Sequence, residues 1–417
     1  MTYLIAGWGR SGKAVASCLE QEGQAYIVFD EKVQGAGVYN QINLIPWATI
    51  EQIVLSPGFA LDHALIADAT VRGIAVISEI EFAFRRCQGP VIAVTGSNGK
   101  SSTVTMLESI FLQTDRAVQL CGNIGRPFTE AVMAAPQAVF VVEVSSFQLE
   151  TIDTFRPRVG ILLNVTPDHI DRHGSFEAYK QAKLNLFRNQ GPGDLALVPP
   201  YFKDALPGQA RVERVHPPQL EGVVFQDNDQ AVKVTNPALR PPHQQWNARF
   251  AAFAAKELGV DVTTLELGFK AFQGLKHRME WVGNVAGRTW INDSKATNID
   301  STQVAIDAME GPFILILGGK NKDADFSTLD FSKGMPKALI LYGQAGPELQ
   351  ASLNEFHPEV IDLFDEAVNR AWELSAEGDT ILLSPGCASF DQFKGFEKRG
   401  DAFRELFHAI QKKVGSA

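Results

Sequence analysis

Thr95-Gly96-Ser97-Asn98-Gly99-Lys100-Ser101-Ser102 follows the apolar run Val91–Thr95 and precedes a helical pattern. A strand that passes through a glycine-rich turn into a helix presents backbone N–H groups to phosphate oxygens. The glycines permit close approach and the helix N-terminus adds a favourable dipole. Lys100 reaches the terminal phosphates, and Ser101 offers a hydroxyl to Mg²⁺. The usual G-x-x-x-x-G-K-[ST] spacing would place glycine at position 94, where Val94 stands, so this loop is shorter than that consensus. An ordinary glycine-rich turn is the plainer alternative, and Gly99-Lys100-Ser101 at the helix entry argues against it.

Outward from this loop, short β-type runs alternate with helical patterns along the chain, which predicts α/β architecture with parallel sheets. The spacing divides the chain into three units, 1–88, 89–274 and 275–417. In the first, strands are expected at Tyr3–Ala6, Tyr26–Phe29, Ile53–Leu55 and Ala75–Ile77, with helices near Gly12–Glu22 and Leu61–Arg72. In the second, strands Val91–Thr95, Ala138–Val144 and Val159–Asn164 precede helices near Phe176–Asn189 and Gln244–Leu258. The Pro- and Gly-rich stretch Val198–Pro242 reads as a β appendage, with a hairpin of Gly222–Gln226 and Ala231–Val234 around Asp227-Asn228-Asp229. In the third, strands Thr289–Asn292, Phe313–Leu317, Ala338–Tyr342 and Thr380–Leu383 lead to a helix over Phe396–Gln411.

Other polar clusters fall at strand ends. Gly7-Trp8-Gly9-Arg10-Ser11-Gly12 matches G-x-G-x-x-G, and Asp30 closes the second strand where an acid would meet a ribose. Such a turn suits any diphosphate, a UDP-sugar as well as NAD, and the separate phosphate loop downstream favours the former. Glu143 ends the strand inside Glu143-Val144-Ser145-Ser146-Phe147-Gln148-Leu149-Glu150, where an acid would hold a metal near a γ-phosphate. Asn164-Val165-Thr166-Pro167-Asp168-His169 brings His169 to the same edge. In the third unit, Trp290–Asn298, Gly318-Gly319-Lys320-Asn321-Lys322 and Ser384–Ser389 follow strands, forming one ligand-facing edge where Lys295 and Lys322 would attract an anion.

Composition bounds the function. The 417 residues are 45% apolar and 21% charged, as in soluble globular proteins. Formal charge is −10, which disfavours nucleic-acid and membrane-surface partners. The cysteines Cys18, Cys87, Cys121 and Cys387 form no CxxC pair, so neither structural zinc nor a disulfide framework is expected. With no apolar run of membrane-spanning length and no signal-peptide pattern, a cytoplasmic location is expected.

Together these motifs resemble the Mur ligases, in family order over nearly the whole chain. Thr95–Ser101 looks like the short loop that these ligases share with folylpolyglutamate synthetases. The N-terminal glycine turn is similar to that of the members adding L-alanine or D-glutamate. Glu143–Glu150, Asn164–Arg172, Trp290–Asn298 and above all Ser384–Gly400 resemble the D-glutamate-adding branch. The resemblance implies a Rossmann-like UDP-sugar domain, a central P-loop ATPase-type domain with its β appendage, and a C-terminal Rossmann-like domain for the amino acid. It implies an ATP-dependent ligase, a monomer, that joins D-glutamate to UDP-N-acetylmuramoyl-L-alanine through an acyl phosphate. Two Mg²⁺ ions would serve it, with Mn²⁺ as a substitute. Gly96, Ser97, Asn98, Gly99, Lys100, Ser101, Ser102, Asn247, Arg278 and Asp293 would hold ATP. Ser101, Glu143, His169 and Lys183 would bind metal, and Lys100, Glu143, His169 and Lys183 would serve the chemistry. An ammonium beside two Mg²⁺ ions would be repelled, and the resemblance resolves this by implying that Lys183 is carbamylated. Gly9, Arg10, Ser11, Asp30, Ser56 and Asn123 would hold the UDP-sugar; Lys295, Thr297, Lys322, Ser389, Phe390 and Phe396 would surround glutamate. Gln244 and Asp30-Glu31-Lys32 depart from the asparagine and Asp-Thr-Arg usual in the family. A folate-type ligase would not need the N-terminal glycine turn, an L-alanine-adding member would lack the glutamate-pairing lysine, and a non-catalytic nucleotide binder would not need Glu143, His169 and Lys183.

Overall fold

In the computed structural model, residues 2–415 are described apart from Ala36, Leu220, Glu221, Asn228, Asp229 and Asp323. The chain forms two compact units, 1–272 and 273–417. The first contains two parallel sheets. One runs in the order Val38–Tyr39, Ala25–Phe29, Thr2–Ala6, Ile50–Leu55, Ala75–Ser78. This doubly wound order puts a switch point beside Thr2–Ala6, above which the Gly7–Gly12 turn lies. The turn is tight for a steric reason: a Cβ on Gly12 would stand 2.0 Å from the Gly7 carbonyl oxygen. The helix Arg10–Gln21 can therefore begin only with glycine at that position.

The second sheet runs Arg211–Arg214, Leu195–Val198, Val159–Leu162, Val91–Thr95, Val139–Glu143, Val118–Gly122. Val91–Thr95 is buried throughout, as an apolar strand flanked on both sides must be. Helix Lys100–Phe111 covers one face, its Val104, Leu107 and Ile110 packed with Phe250 and Ala251 of helix Pro242–Glu257 and Leu265 and Phe269 of helix Val262–Ala271.

Several expectations need correction. The stretch 198–242 is only partly an appendage, because Arg211–Arg214 joins the main sheet edge in parallel with Leu195–Val198. Val223–Asp227 and Gln230–Lys233 do pair antiparallel, while the turn residues Asn228 and Asp229 lie outside the described residues. The strand expected to reach Asn164 ends at Leu162, and the helix expected from Leu61 starts at Ala64, capped by His63 Nδ1 accepting from Leu65 N. The expected Phe176–Asn189 helix is α only to Leu184 and continues as a 3₁₀ turn.

Residue 88 lies within unit 1–272, which holds both of the first two sheets. Helix Glu79–Phe84, absent from the sequence reading, carries two buried carboxylates into the second sheet's loops. Glu81 accepts from the backbone N–H groups of Asp153, Thr154 and Phe155. Burial alone would raise its pKa, but hydrogen bonds from Thr154, Asp153 and Arg85 outweigh that and hold it low. Glu79 accepts from Thr129 N and Oγ1, and there burial prevails and raises the pKa.

Unit 273–417 has one sheet in the order Glu280–Val285, Arg288–Asn292, Thr380–Gly386, Phe313–Gly318, Ala338–Tyr342, Glu359–Ile361. It is mixed where a parallel sheet was expected, because Glu280–Val285 forms a hairpin antiparallel to Arg288–Asn292. The strand after Thr380 extends to Gly386 through Pro385, and its register with Phe313–Gly318 shifts there, between Ile316 and Gly318. Proline has no N–H to offer the ladder, so a bulge at that position is the natural outcome.

Candidate active site

The phosphate loop leaves the carboxyl end of Val91–Thr95, flanked by Val139–Glu143 and Val159–Leu162. Gly99 caps helix Lys100–Phe111 with φ 84°, and a Cβ there would lie 2.8 Å from Asn247 Oδ1. Asn247 thus stands directly against the loop. On the other side Asn164 clamps it: its Oδ1 accepts from Asn98 N at 2.8 Å, and its Nδ2 donates to Asn98 O at 3.1 Å. Ser97 Oγ donates to Thr166 O at 2.9 Å and lies 3.0 Å from Tyr179 OH. Lys100 folds back, Nζ donating to Gly96 O at 2.7 Å and Ser97 O at 2.9 Å. Ser101 and Ser102 are buried in the first helical turn.

Glu143, at the tip of the adjacent strand, is 2% exposed. Its Oε1 accepts from Asn123 Nδ2 at 2.7 Å, while Oε2 is buried without a hydrogen-bond partner. A buried carboxylate oxygen with no donor is costly, and a cation is the natural remedy. His169 sits in the left-handed region at φ 53°, where a non-glycine residue is strained. Its ring packs edge-on against Phe147 at 5.0 Å, with Asp168 Oδ2 3.7 Å from Nε2. Lys183 is also 2% exposed; its Nζ donates to Gly96 O at 2.9 Å and lies 4.5 Å over the Tyr179 ring. Burial, and then the nearby Lys100 charge, push its pKa well below the ordinary lysine value, against Asp168 and Glu143.

Among the described residues no three His, Cys, Asp or Glu side chains assemble into a metal cluster. The Glu143 oxygen, the Ser101 hydroxyl and the neighbouring His169 suit a hard cation that takes its other ligands from water and phosphate, as Mg²⁺ does. The residues present therefore fit a metal–nucleotide pair at this edge.

The first glycine turn is braced from beneath. Asp30 Oδ2 accepts from Trp8 N at 2.7 Å and Oδ1 from Lys32 N at 2.9 Å, so this acid already organises its own loops. Ser56 Oγ donates to Gly7 O at 3.0 Å. Gly9 and Arg10 are exposed and Ser11 half-buried; Arg10 Nη2 donates to Gly125 O at 2.6 Å, near Asn123 in sequence.

Unit 273–417 holds Arg278, Asp293 and the six residues expected around an amino acid. Asp293 is buried and accepts from Met279 N at 3.1 Å and Ser384 Oγ at 2.9 Å; burial pushes its pKa up to about 7. His277 and Met279, flanking Arg278, both have positive φ. Lys295 Nζ lies 3.8 Å above the Phe396 ring; Thr297 is half-buried, Ser389 buried, Lys322 exposed and Phe390 69% exposed.

Residues 94–263 match the family model described as Mur ligase middle domain, and residues 277–387 match that of the Mur ligase glutamate ligase domain. A UDP-N-acetylmuramoylalanine–D-glutamate ligase of Pelotomaculum thermopropionicum is 37% identical, with 98% of each chain covered. A ligase of the same name from Myxococcus xanthus is 36% identical at the same coverage. The chain belongs to the Mur ligase family. The fold agrees: the MurF ligase of Thermotoga maritima in complex with ADP superposes with a TM-score of 0.63 at 15% identity, covering 99% of this chain and 95% of that one. The UDP-N-acetylmuramate–alanine ligase MurC of the same organism gives 0.62 at 15% identity, covering 98% and 99%.

In this Mur ligase, unit 1–272 brings Gly96–Ser102, Asn123, Glu143, His169, Lys183 and Asn247 to one sheet edge. In the other unit, Arg278 precedes strand Glu280–Val285, Asp293, Lys295 and Thr297 follow Arg288–Asn292, Lys322 follows Phe313–Gly318, Ser389 and Phe390 follow Thr380–Gly386, and Phe396 opens the last helix. The sequence reading assigned no role to Asn164, Tyr179 or Arg399. Asn164 and Tyr179 lie in stretches it quoted, but a clamp between neighbouring strands shows only once the strand order is known. Arg399 is fully buried; it donates to Ser294 O at 2.8 Å, Ser294 Oγ at 2.9 Å, Tyr342 OH at 3.0 Å and Cys387 O at 3.1 Å. With a further bond from Nη1 to Gly318 O at 3.5 Å, it reaches all three polar loops of this ligase's C-terminal unit.

Proposed function

We propose that this chain joins D-glutamate to UDP-N-acetylmuramoyl-L-alanine with conversion of ATP to ADP, in the cytoplasmic synthesis of peptidoglycan precursors. One observation carries the ligase chemistry: a phosphate-ready loop meets a buried carboxylate oxygen without a donor and a buried lysine, all at one sheet edge. The full-length likeness to ligases named for D-glutamate supports the choice of substrates. In this reading the first sheet, to about residue 88, holds the UDP-sugar, 89–274 holds ATP and 275–417 the amino acid. The reactants are small molecules, the enzyme is a monomer, and among the described residues no helix is long and apolar enough to cross a membrane.

A carboxylate is a poor acyl donor until activated. The L-alanine carboxylate attacks the γ-phosphorus, ADP leaves, and an acyl phosphate results. The neutral amine of D-glutamate then adds to the carbonyl, and inorganic phosphate departs as the amide forms. Lys100 holds the transferring group and offsets its charge, and the loop N–H groups fix its orientation. Two Mg²⁺ ions, or Mn²⁺, would neutralise phosphate charge; Ser101, Glu143, His169 and Lys183 are the residues that would hold them. Burial favours the neutral form of the Lys183 amine, the form that would add CO₂, releasing a proton and leaving an anionic carbamate. Asn247, Arg278 and Asp293 would contact the nucleotide.

The test is release of ADP and phosphate, expected only when UDP-N-acetylmuramoyl-L-alanine, ATP, Mg²⁺ and D-glutamate are all present. Equal turnover with L-alanine on the UDP-sugar acid would sink the D-glutamate assignment and leave the ligase class standing. If Lys322 pairs the substrate side-chain carboxylate, Lys322→Ala raises the KM for D-glutamate roughly tenfold to a hundredfold, as loss of a charge-assisted hydrogen bond does. The KM for ATP should not move. A lost ATP affinity with glutamate unaffected would place Lys322 on the nucleotide side.

A further inference from the structure

Arg172 lies in the short helix Ile170–His173, directly after His169. Its Nη2 donates to the carbonyl oxygen of Phe59, in the loop that follows strand Ile50–Leu55 of the first sheet. The same nitrogen is 3.8 Å from Glu150 Oε2, an oxygen that is buried and has no hydrogen-bond donor. The guanidinium carbon stands 4.3 Å over the centroid of the Phe147 ring. Phe147 in turn meets the His169 ring edge-on at 5.0 Å and stacks on the His173 ring at 5.3 Å and 15°.

The far side of this stack is equally constrained. Ser146 Oγ lies 3.0 Å from His173 Nε2, and Glu150 Oε1 lies 3.2 Å from His173 Nδ1. A serine, histidine and glutamate in that order look like a nucleophile, base and orienting acid. Ser146 is only 2% exposed, however, so no substrate carbonyl reaches it, and the trio serves as a buttress under Phe147. The loop at the other end carries Ser56, which donates to the Gly7 carbonyl of the first glycine turn. A continuous set of contacts thus runs from that turn through Phe59, Arg172 and Phe147 to His169.

We propose that Arg172 is a positioning residue that ties the seating of the Ser56–Phe59 loop to the orientation of His169. The inference rests on the ligase reading above, in which the loop meets the UDP-sugar and His169 meets the metal–nucleotide pair. Arginine is suited to the role because one planar group donates to a carbonyl, offsets Glu150 and lies flat on an aromatic face. When the loop closes on its ligand, Arg172 holds Phe147 in place, and Phe147 limits the rotamers of His169.

The variants are Arg172→Lys, which keeps a charge beside Glu150 but loses the flat stacking face, Phe147→Leu, and the two combined. Binding of a non-hydrolysable ATP analogue with Mn²⁺ is measured by titration calorimetry, with and without saturating UDP-N-acetylmuramoyl-L-alanine. The wild-type protein should bind the analogue more tightly when the UDP-sugar acid is present. Arg172→Lys should remove that enhancement and lower kcat about three- to thirtyfold, the span of a modest coupling energy, with the analogue's affinity in the absence of the UDP-sugar acid unchanged. Phe147→Leu should do the same, and the double variant should be no worse than either, because both act through one stack. Multiplying losses, an intact enhancement in Arg172→Lys, or a wild type that turns over without any enhancement would overturn the coupling and leave the ligase reading in place. A wild-type protein that forms no product from the four reactants would overturn the ligase reading, and this inference with it.

Discussion

Lys183→Ala should lower turnover by at least about a hundredfold, the scale of losing a preorganised charged group at a phosphoryl-transfer site. The side chain is not a surface lysine: it is 2% exposed, and its Nζ donates to the Gly96 carbonyl of the phosphate loop. An ammonium there would oppose both Lys100 and any metal ion. Burial, with Lys100 second, already depresses the pKa, and the neutral amine is the form that reacts with CO₂. The proposed carbamate would add an anionic oxygen at the edge where Glu143 supplies the other. Formate or acetate added to Lys183→Ala should restore part of the rate by filling the vacated position. The control is Lys180→Ala, whose ammonium pairs with Glu177 at 2.9 Å and Asp204 at 2.6 Å on the surface; its rate should stay within about twofold of wild type, as for most exposed ion pairs. Full activity in Lys183→Ala refutes the assignment. An inactive variant that small carboxylic acids do not rescue counts against the carbamate.

Glu143→Gln should be nearly as damaging and yet leave the fold intact. The substitution keeps an amide oxygen for Asn123 Nδ2 and replaces only the atom that lacks a partner, Oε2. Removing a buried, uncompensated anionic oxygen relieves a desolvation penalty, so the melting temperature without ligands should hold or rise. The metal ligand proposed for this position disappears at the same time, so kcat should fall about a hundred- to a thousandfold. Mn²⁺ titration should show weaker metal binding in the presence of nucleotide. A Glu143→Gln variant with near-wild-type kcat, or one that melts far below wild type, would show that the side chain holds the fold rather than the metal.

Much of the architecture was legible because local chemistry imposes it. The turn at Gly7–Gly12 and the loop at Gly96–Gly99 need backbone conformations or close approaches that only glycine tolerates, and each lies between an apolar run and a helical pattern. The strands most buried in the sheets, such as Val91–Thr95 and Ala338–Tyr342, are short apolar runs with clean ends, and their expected limits match the structure. Elements that escaped notice are short or weakly patterned. Val118–Gly122 is an edge strand, Val38–Tyr39 has two residues, and Glu79–Phe84 mixes acidic and aromatic positions. Arg211–Arg214 reads as polar because it is an outer strand with little side-chain burial.

By itself the sequence determined the α/β class, the phosphate loop, and the strand-end positions of Glu143, His169 and the C-terminal lysines. Each depends on residues close together in the chain. Tertiary structure alone decided what those side chains do. Strand order set Asn164 beside the loop and left Glu143 Oε2 without a donor. Packing of helix Phe176–Leu184 turned Lys183, plausible as a solvated lysine, into a buried amine of depressed pKa. Glu81, which has no distinguishing sequence context, gathers three backbone N–H groups from a loop more than seventy residues away and joins the first two sheets into one unit. Burial, desolvation and the absence of a hydrogen-bond partner depend on segments far apart in sequence, so they become defined only when the chain has folded.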